Sequence, residues 1–322
     1  MSNYIELGFC NQKYCDFPNI VNLEVFRGMC PCECVHCPVG LVTPNDRSSR
    51  FSQAAIDLVT FRKVIDEMSA WPHSTIRIHS VGEPILWGNL LPALDYLKKS
   101  HVRSWIFSSL VTKSKAILEA LCNCCDIVEI SVNSIDAEDY RETKGIDAFN
   151  LVIENIRYMS AFIKEQQLKT RLVVSRVQSD AKEKDDAFIA YWKDTNLCSD
   201  AFVRKYHNYN NLLDEKEGEV GKKVACLVHW MRFSIAYDGT VVCCFNELFH
   251  PKLRDDVVMG NILSESIYDI WHGDKFLKLR AAELSGYTTG DYLDDFPCRN
   301  CFSCQSYDQK HETSEHQIDA LG

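Results

Sequence analysis

Short apolar segments with strand character alternate with helical apolar patterns along the first two thirds of the chain. In the first of these segments, 20–26, apolar and polar residues alternate as in a half-buried strand. The full set of predicted strands is 20–26, 76–80, 104–108, 126–132, 170–177 and 201–206. Strands that alternate with helices predict a parallel sheet of right-handed βαβ units. Six strands are fewer than the eight of a closed barrel, so the pattern predicts an α/β fold of the partial (β/α)6 TIM-like type.

The predicted strands end in polar residues. In parallel α/β folds, the loops that follow the carboxyl ends of the strands meet at one rim, where chemistry usually takes place. The residues placed at this rim are Gly82, Glu83, Pro84, Ser108, Ser131, Asn133, Ser175, Arg176 and the stretch 205–211. The sequence therefore predicts a polar site at this end of the barrel.

The last third of the chain has a different pattern. A charged, Gly-containing stretch at 212–223 is typical of a linker. Beyond it the βα alternation is lost, and we predict a hairpin over 233–242 that turns at Asp238-Gly239, followed by a helix over 266–279. The predicted organisation is an extension at 1–19, a barrel at 20–211, the linker, and a small α+β domain at 224–322.

Composition and charge narrow the class of protein. The chain has 322 residues, and its hydrophobic fraction of 46% is ordinary for a globular enzyme. Its net charge of −10 argues against binding to nucleic acid or to anionic membranes, which require basic surfaces. The sequence has no apolar run of membrane-spanning length and no secretory signal pattern at its start, so we expect a cytoplasmic protein.

Sixteen cysteines are many for a reducing compartment, where clustered cysteines are more often metal ligands than disulfides. Cys30-x3-Cys34-x2-Cys37 offers three thiolates directly after the first strand. Three ligands leave a bound iron or zinc with an open position, whereas a structural zinc site has four. A second group comprises Cys226, Cys243, Cys244, Cys298, Cys301 and Cys304. Spacing alone leaves iron, zinc and simple burial as alternatives.

The first cysteine group, followed by Ser80-Val81-Gly82-Glu83-Pro84, resembles the radical S-adenosylmethionine (SAM) enzymes. Val81 departs from the Gly-Gly-Glu-Pro motif of that family. The resemblance implies that Cys30, Cys34 and Cys37, but not Cys32, bind a [4Fe-4S] cluster whose fourth iron is chelated by SAM. It further implies a set of SAM-binding residues. They are His36, Gly82, Glu83, Pro84, Ser108, Ser131, Asn133 and Arg176.

The C-terminal region resembles the SPASM/twitch extension of the same superfamily. The resemblance rests on Cys226-x12-Gly239-x4-Cys244, on Met259-Gly260-Asn261-Ile262 with 267–271, and on Cys298-x2-Cys301. It implies one auxiliary [4Fe-4S] cluster, bound by Cys226, Cys244, Cys298 and Cys301. A full SPASM domain uses about seven cysteines for two clusters, whereas this region has only six. Two alternatives stay open: a structural zinc on the same four thiolates, and Cys304 in place of Cys301.

The resemblance implies reductive cleavage of SAM to a 5′-deoxyadenosyl radical, with electrons from a donor such as flavodoxin or ferredoxin. The expected substrate is a carbinol of a sugar or aminocyclitol in natural product biosynthesis, oxidised or epimerised. About twenty residues precede the first strand, fewer than a leader-binding domain needs, so maturation of a ribosomally made peptide is the alternative. A non-enzymatic metal scaffold is a third. Expected catalytic residues are Arg204, Lys205 and His207, which would bind substrate and take a proton, and Cys243, which would return a hydrogen atom to a substrate radical.

Overall fold

The computed structural model describes residues 16–213, 225–287, 292, 296–299, 301 and 315–321. Its strands are β1 (Ile20–Arg27), β2 (Ala54–Ala55), β3 (Thr75–Val81), β4 (Arg103–Ser108), β5 (Ile127–Ser131), β6 (Arg171–Val177), β7 (Asp200–Arg204), β8 (Arg232–Ile235), β9 (Thr240–Val242) and β10 (Val258–Asn261). Its α-helices are α1 (Arg47–Phe51), α2 (Leu58–Met68), α3 (Leu90–Ser100), α4 (Lys115–Cys124), α5 (Ala137–Lys144), α6 (Phe149–Glu165), α7 (Lys182–Asp194), α8 (Leu227–Met231), α9 (Ile267–Trp271), α10 (Asp274–Leu284) and α11 (Glu315–Asp319). Short 3₁₀ helices are Pro84–Leu86, Phe245–Phe249, Asp255–Val257 and Pro297–Arg299.

One sheet contains the described strands. Its order is β10-β9-β8-β1-β3-β4-β5-β6-β7, and the pairs from β1 to β7 along this path are parallel. This arrangement confirms the predicted α/β fold with six barrel strands. The two-residue strand β2, which pairs antiparallel with the end of β1, was not predicted.

The helices cover the outer face of the barrel because their apolar stripes match the apolar side of the strands. Asp57 caps the start of helix α2, and its side chain accepts a hydrogen bond from the Thr60 backbone N–H at 2.8 Å. Its buried residues, among them Phe61 and Ile65, join the same apolar cluster as Val21 and Leu23 of β1. The alternate residues of β1 consequently point into the barrel.

The C-terminal hairpin extends the barrel sheet instead of forming a separate one. Strand β8 pairs in parallel with β1, in a register that runs from Ile20 opposite Arg232 to Leu23 opposite Ile235. Strands β8 and β9 form the predicted hairpin around Asp238-Gly239, and β10 adds antiparallel to β9. The linker prediction at 212–223 stays a prediction, since 214–224 lie outside the described residues.

The single helix predicted over 266–279 is wrong. The structure has two helices, α9 and α10, separated at His272-Gly273. Gly273 has φ −70° and ψ 159°, an extended conformation that caps the start of α10 and interrupts the helical hydrogen bonds. Among the described residues, no helix is both long and apolar enough to cross a membrane.

The barrel interior is layered along the strand direction. At the amino ends of the strands, one apolar cluster fills the interior; its buried members are Ile20, Trp105, Ile127, Val173, Phe202 and Ile318. Ile318 comes from α11, so the C-terminal helix closes this end of the barrel. One side-chain layer further along, the interior residues are polar, for example Asn22 and Glu129. The apolar plug thus fills the barrel at the amino ends of the strands.

Candidate active site

One cavity at the carboxyl ends of the strands is lined by both cysteine groups. From the first group it includes Cys30, Cys32, Cys34 and Cys37, and from the second Cys226, Cys244, Cys298 and Cys301. Other residues predicted for the site also line the cavity; they are His36, Gly82, Glu83, Pro84, Ser108, Ser131, Ser175, Arg176, Arg204 and His207. The structure therefore brings most of the sequence-predicted site residues into a single enclosure.

The first cysteine loop is fixed to its neighbours by backbone hydrogen bonds. The Gly28 N–H donates to the Val81 carbonyl and the Glu83 N–H to the Met29 carbonyl, both at 2.8 Å. On the other side, the Glu33 N–H donates to the carbonyl of Lys144, also at 2.8 Å. Loops that follow different strands are thus bonded to each other, which holds the thiols in place before any ligand binds.

Gly82 lies where the Gly-Glu-Pro segment approaches the cysteine loop. Its φ is +154°, and a Cβ at this position would lie 2.4 Å from the Met29 carbonyl oxygen. No side chain fits there without moving the loop backbone.

We expect Gly82→Ala to displace the cysteine loop and to reduce SAM-dependent activity and iron binding at the first site by more than about tenfold, since both backbones would have to shift. Iron content and 5′-deoxyadenosine yield measure the effect. Gly88→Ala is the matched control, because a Cβ at Gly88 has nothing within 4 Å. Equal losses in the two variants would contradict this role for Gly82.

Two thiols of the first group, those of Cys34 and Cys37, have raised pKa values. The hydrogen bond that the Cys34 thiol donates to Cys32, together with burial, raises the pKa of Cys34 to about 12. Burial raises the pKa of Cys37 to about 11. Metal binding releases such protons, because iron binds the thiolate.

The spacing of the thiols favours a cluster over a single ion. Two ligands of one zinc ion, each about 2.3 Å from it, lie within about 4.6 Å of each other. Among the described residues, ligand atoms within 4.8 Å of one another occur in His229, Cys243 and Cys298, whereas the cysteines of neither predicted ligand set form such a group of three. An iron–sulfur cluster places each thiolate on its own iron and spreads them further apart. The donor sets therefore fit [4Fe-4S] clusters better than a structural zinc.

Lys144 is a site residue that the sequence did not reveal. It is only 2% exposed and lines the cavity, with its Nζ donating to Ser131 Oγ at 3.0 Å. Burial by itself would lower its pKa, but the neighbouring Cys34, Cys32, Cys30 and Glu83 outweigh burial and raise it. In the sequence, a lysine before Gly145 is an ordinary helix C-terminus. Its position places an ammonium group beside the first cysteine loop.

Glu83 is fixed by the loop that follows β4. Its Oε2 accepts hydrogen bonds from the Ser109 N–H at 2.8 Å and from Ser109 Oγ at 2.5 Å. Glu83 is 2% exposed, so its carboxylate has little freedom to move. Ser108 also lines the cavity, but its Oγ accepts from the Leu110 N–H and shapes the loop.

Two of the predicted SAM-binding residues have structural partners. Asn133 does not line the cavity among the described residues; its Oδ1 accepts from the Val177 N–H at 2.7 Å and its Nδ2 donates to Ser131 Oγ. Arg176 lines the cavity, but its Nε lies 3.1 Å from Asp185 Oδ1.

Of the predicted catalytic residues at the end of β7, Arg204 and His207 line the cavity and Lys205 does not. Arg204 lines the cavity and forms a two-point ion pair with Glu129, with Nε 2.7 Å from Oε1. His207 also lines it, and burial together with nearby cations lowers the pKa of His207 to about 3, which keeps its ring neutral. Lys205 is not among the described residues that line the cavity.

Cys243 is placed away from the substrate space. Its thiol is hydrogen-bonded to Cys298, it is 1% exposed, and the described cavity wall does not include it. A donor of hydrogen atoms must reach the substrate, so the role expected for Cys243 has no support from its position. Cys304 lies outside the described residues.

The second cysteine group adjoins a histidine–carboxylate pair that the sequence did not reveal. His229 is buried on α8, and its Nε2 lies 3.5 Å from Cys298 Sγ. Its Nδ1 is 2.8 Å from Glu283 Oε1. Burial would lower the pKa of His229, but Glu283 and Cys298 raise it well above its usual value. The Glu283 carboxylate thus fixes the orientation of the His229 ring beside Cys298.

Comparison with known proteins finds an iron–sulfur family and a SAM-dependent enzyme that are similar to this chain. Residues 226–305 match the SPASM family, described as an iron–sulfur cluster-binding domain. The S-adenosyl-L-methionine-dependent 2-deoxy-scyllo-inosamine dehydrogenase of Niallia circulans is 22% identical over 288 residues, which are 88% of this chain and 92% of that protein.

Solved structures show the same fold. BtrN in complex with AdoMet and 2-DOIA has a TM-score of 0.56 at 18% identity, covering 88% of this chain and 93% of that one. Streptococcus suis SuiB bound to precursor peptide SuiA has a TM-score of 0.65 at 12% identity, covering 87% and 71%. Native anSMEcpe with bound AdoMet has 0.63 at 13%, covering 94% and 98%. The predicted resemblance to SAM-dependent enzymes with a SPASM domain is confirmed.

Proposed function

We propose that this protein is a radical SAM oxidoreductase that oxidises or epimerises a carbinol of a small polar substrate. The observation that carries the proposal is the single cavity whose walls contain the three-cysteine loop, the Gly-Glu-Pro segment and the four C-terminal cysteines. A site that joins both predicted clusters can pass electrons in and out around one bound substrate. The similarity to a SAM-dependent dehydrogenase supports the same reaction class.

The residues of the first site fit SAM. Cys30, Cys34 and Cys37 would hold the cluster, Glu83 would accept hydrogen bonds from the amino group of SAM, and Lys144 would pair with its carboxylate. When bound, SAM and the first cluster supply a radical that removes hydrogen from the substrate, and the auxiliary cluster supplies an electron acceptor. The chain would position these groups, and the apolar plug fills the opposite end of the barrel.

Oxidation of a carbinol removes one hydrogen atom, one electron and one proton. His207 is the candidate proton acceptor because it lines the cavity; since burial and nearby cations lower its pKa to about 3, it is a weak base and would have to pass the proton on. We further propose that the protein acts in the cytoplasm with flavodoxin or ferredoxin as electron donor. The high cysteine content, which requires reduced thiols, supports that location.

The test is anaerobic reconstitution with iron and sulfide, followed by incubation with SAM and dithionite. We expect 5′-deoxyadenosine, measured by liquid chromatography and mass spectrometry, and absorption near 400 nm typical of about two clusters per chain. Cyclitols and sugars deuterated at their carbinol carbons would transfer deuterium into 5′-deoxyadenosine. A protein that binds iron but releases no 5′-deoxyadenosine would instead be a metal scaffold.

Peptide maturation is the second candidate, because two of the similar solved structures, SuiB and anSMEcpe, are recorded with a bound peptide. It requires space for an extended chain beside the first cluster. Deuterium transfer from a labelled precursor peptide, with none from labelled carbinols, would establish this candidate and exclude the first.

A further inference from the structure

Three potential metal ligands from separate elements meet beside the cavity. His229 lies on α8, Cys243 directly follows β9, and Cys298 lies in the short 3₁₀ helix Pro297–Arg299. Their ligand atoms, one imidazole nitrogen and two thiol sulfurs, all lie within 4.8 Å of one another. His229 and Cys243 are each only 1% exposed. Among the described residues, no other group of three histidine, cysteine or carboxylate ligands is this close together.

The distances match those around one tetrahedral metal ion. Zinc binds thiolate sulfur at about 2.3 Å and imidazole nitrogen at about 2.0–2.1 Å, so a tetrahedral ion separates a sulfur ligand from a nitrogen ligand by about 3.6 Å. The distance from His229 Nε2 to Cys298 Sγ is 3.5 Å. The Cys298 thiol also donates a hydrogen bond to the sulfur of Cys243, so the two sulfurs are in contact. The three side chains therefore already have the separation that a single ion requires.

The histidine also has the second partner that metal-binding histidines usually have. Its Nδ1 lies 2.8 Å from Glu283 Oε1, so Nδ1 holds the ring proton and Nε2 is the nitrogen that can bind an ion. Glu283 is fixed in turn, because its Oε2 accepts a hydrogen bond from Trp230 Nε1–H at 2.8 Å. Most histidines that bind a metal donate their other ring N–H to a carboxylate or a carbonyl. The His229 ring is thus oriented for a metal ligand.

Cys243 belongs to neither predicted cluster, and its position suits this second role. Its backbone N–H donates to the Val257 carbonyl at 2.9 Å, which fixes the residue at the end of the hairpin. Filling the core would not require its thiol to face another thiol and an imidazole. Two thiolates and a neutral imidazole balance the charge of a divalent ion, as a buried site requires. His229 and Cys298 line the cavity, so an ion can reach the group from there.

We propose that the chain binds one zinc ion through His229, Cys243 and Cys298 when its auxiliary cluster is absent, with a solvent molecule as the fourth ligand. Tetrahedral sites of thiolate and imidazole ligands are typical of zinc. Cys298 is also a predicted ligand of the auxiliary cluster, and a thiolate bound to zinc cannot take its usual place on an iron. The zinc form and the cluster form of this region therefore exclude each other.

The test is zinc binding to the full chain, freed of iron and kept reduced under anaerobic conditions. Cys30, Cys34 and Cys37 are replaced by alanine in every sample, so that the first loop does not bind the probe. We expect one zinc per chain, measured by competition with a chromophoric chelator. Zinc X-ray absorption should show two sulfur ligands at about 2.3 Å and nitrogen or oxygen ligands at about 2.0–2.1 Å.

Variants separate the ion site from the cluster site. Cys243→Ala should weaken zinc binding at least about tenfold, because one of three protein ligands is lost, and should still assemble the auxiliary cluster. Cys226→Ala is the matched control, since Cys226 is a predicted cluster ligand outside the group of three. It should keep the zinc affinity and lose the cluster. His229→Gln, whose amide can still bond to Glu283, should weaken zinc binding as Cys243→Ala does. Circular dichroism checks the folding of each variant.

Competition between the two forms gives a second measurement. Without zinc, reconstitution with iron and sulfide should add about four irons to the chain that lacks the first-loop cysteines, and after zinc loading it should add almost none. The inference would be overturned by the absence of stoichiometric zinc, by equal zinc affinity in Cys243→Ala, or by four irons bound together with the zinc. A zinc ion with four sulfur ligands would also overturn it, since the ion would then occupy the predicted cluster cysteines. No step uses SAM, so these results are independent of the proposed function.

Discussion

Simultaneous replacement of Cys30, Cys34 and Cys37 by alanine is expected to abolish 5′-deoxyadenosine formation while about four irons remain bound per chain. The three thiols lie on one loop, and the loop is held by bonds to Val81 and Lys144 that do not involve their side chains. The loop should therefore keep its conformation without them. The C-terminal cysteines lie elsewhere, before α8, after β9 and in or beyond the short helix Pro297–Arg299, and should retain their own ligand set. Iron analysis and mass spectrometry of the reaction products measure the two effects.

A second cysteine triplet provides the control for this experiment. Cys122, Cys124 and Cys125 lie at the end of α4, and none of them lines the cavity. Burial raises the pKa of Cys122 to about 12, as in an inert thiol that fills the core. Replacing these three by alanine should leave about eight irons and full SAM cleavage. Loss of all iron from the Cys30/Cys34/Cys37 variant would contradict two independent clusters.

The sequence was sufficient for the barrel because its strands depend on local patterns. Strand alternation predicts β1 to β7 apart from the two-residue β2, whose pairing with β1 depends on a tertiary contact. The parallel pairing of β8 with β1 joins Ile20 to Arg232, more than two hundred residues apart, and no local pattern encodes such a contact. The continuity of the sheet across the predicted linker was therefore not predictable.

The residues missed in the site are those whose role depends on burial. Lys144 ends an ordinary amphipathic helix, and Arg77 lies inside a strand where alternation predicts only an inward-facing polar position. His229 and Glu283 are 54 residues apart and meet only in the folded chain. By contrast, Gly82 and Glu83 lie in a short sequence motif. The motif needs a glycine at position 82 because a Cβ there would collide with the Met29 carbonyl. Charge inside a barrel is a tertiary property that single-sequence patterns do not specify.

Glu283 is a buried carboxylate that contacts the segment carrying Cys226 and His229. Its Oε1 accepts hydrogen bonds from the Cys226 N–H at 2.9 Å and faces His229 Nδ1 at 2.8 Å. Its Oε2 accepts from Trp230 Nε1–H at 2.8 Å. His229 in turn directs its Nε2 to Cys298. Glu283 thus orients α8, which follows the predicted ligand Cys226. It also orients His229, which lies beside the predicted ligand Cys298.

Glu283→Gln is therefore expected to destabilise the auxiliary site selectively. An amide has one acceptor oxygen and brings its own N–H donors, so at least one of the three buried donors loses its partner, at a cost of about 1–3 kcal/mol. Without the carboxylate, the pKa of His229 falls, and its charged hydrogen bond to Cys298 weakens. We expect iron to be lost from this site to a chelator at least about tenfold faster, with 5′-deoxyadenosine formation retained and substrate oxidation lost.

The chelation rate, followed by absorption, and the electron paramagnetic resonance of the reduced protein distinguish the two clusters in this variant. Glu154→Gln on the exposed side of α6 removes a carboxylate of the same size where it has no such role. If Glu283→Gln kept about eight irons, chelated at the rate of the unmodified protein, the carboxylate would be only a packing residue. If both sites lost iron together, the two clusters would belong to one folding unit. The pairing of β8 with β1 in one sheet would be the physical link between them. The variant therefore tests whether the His229–Glu283 pair acts on the auxiliary ligands or on the whole fold.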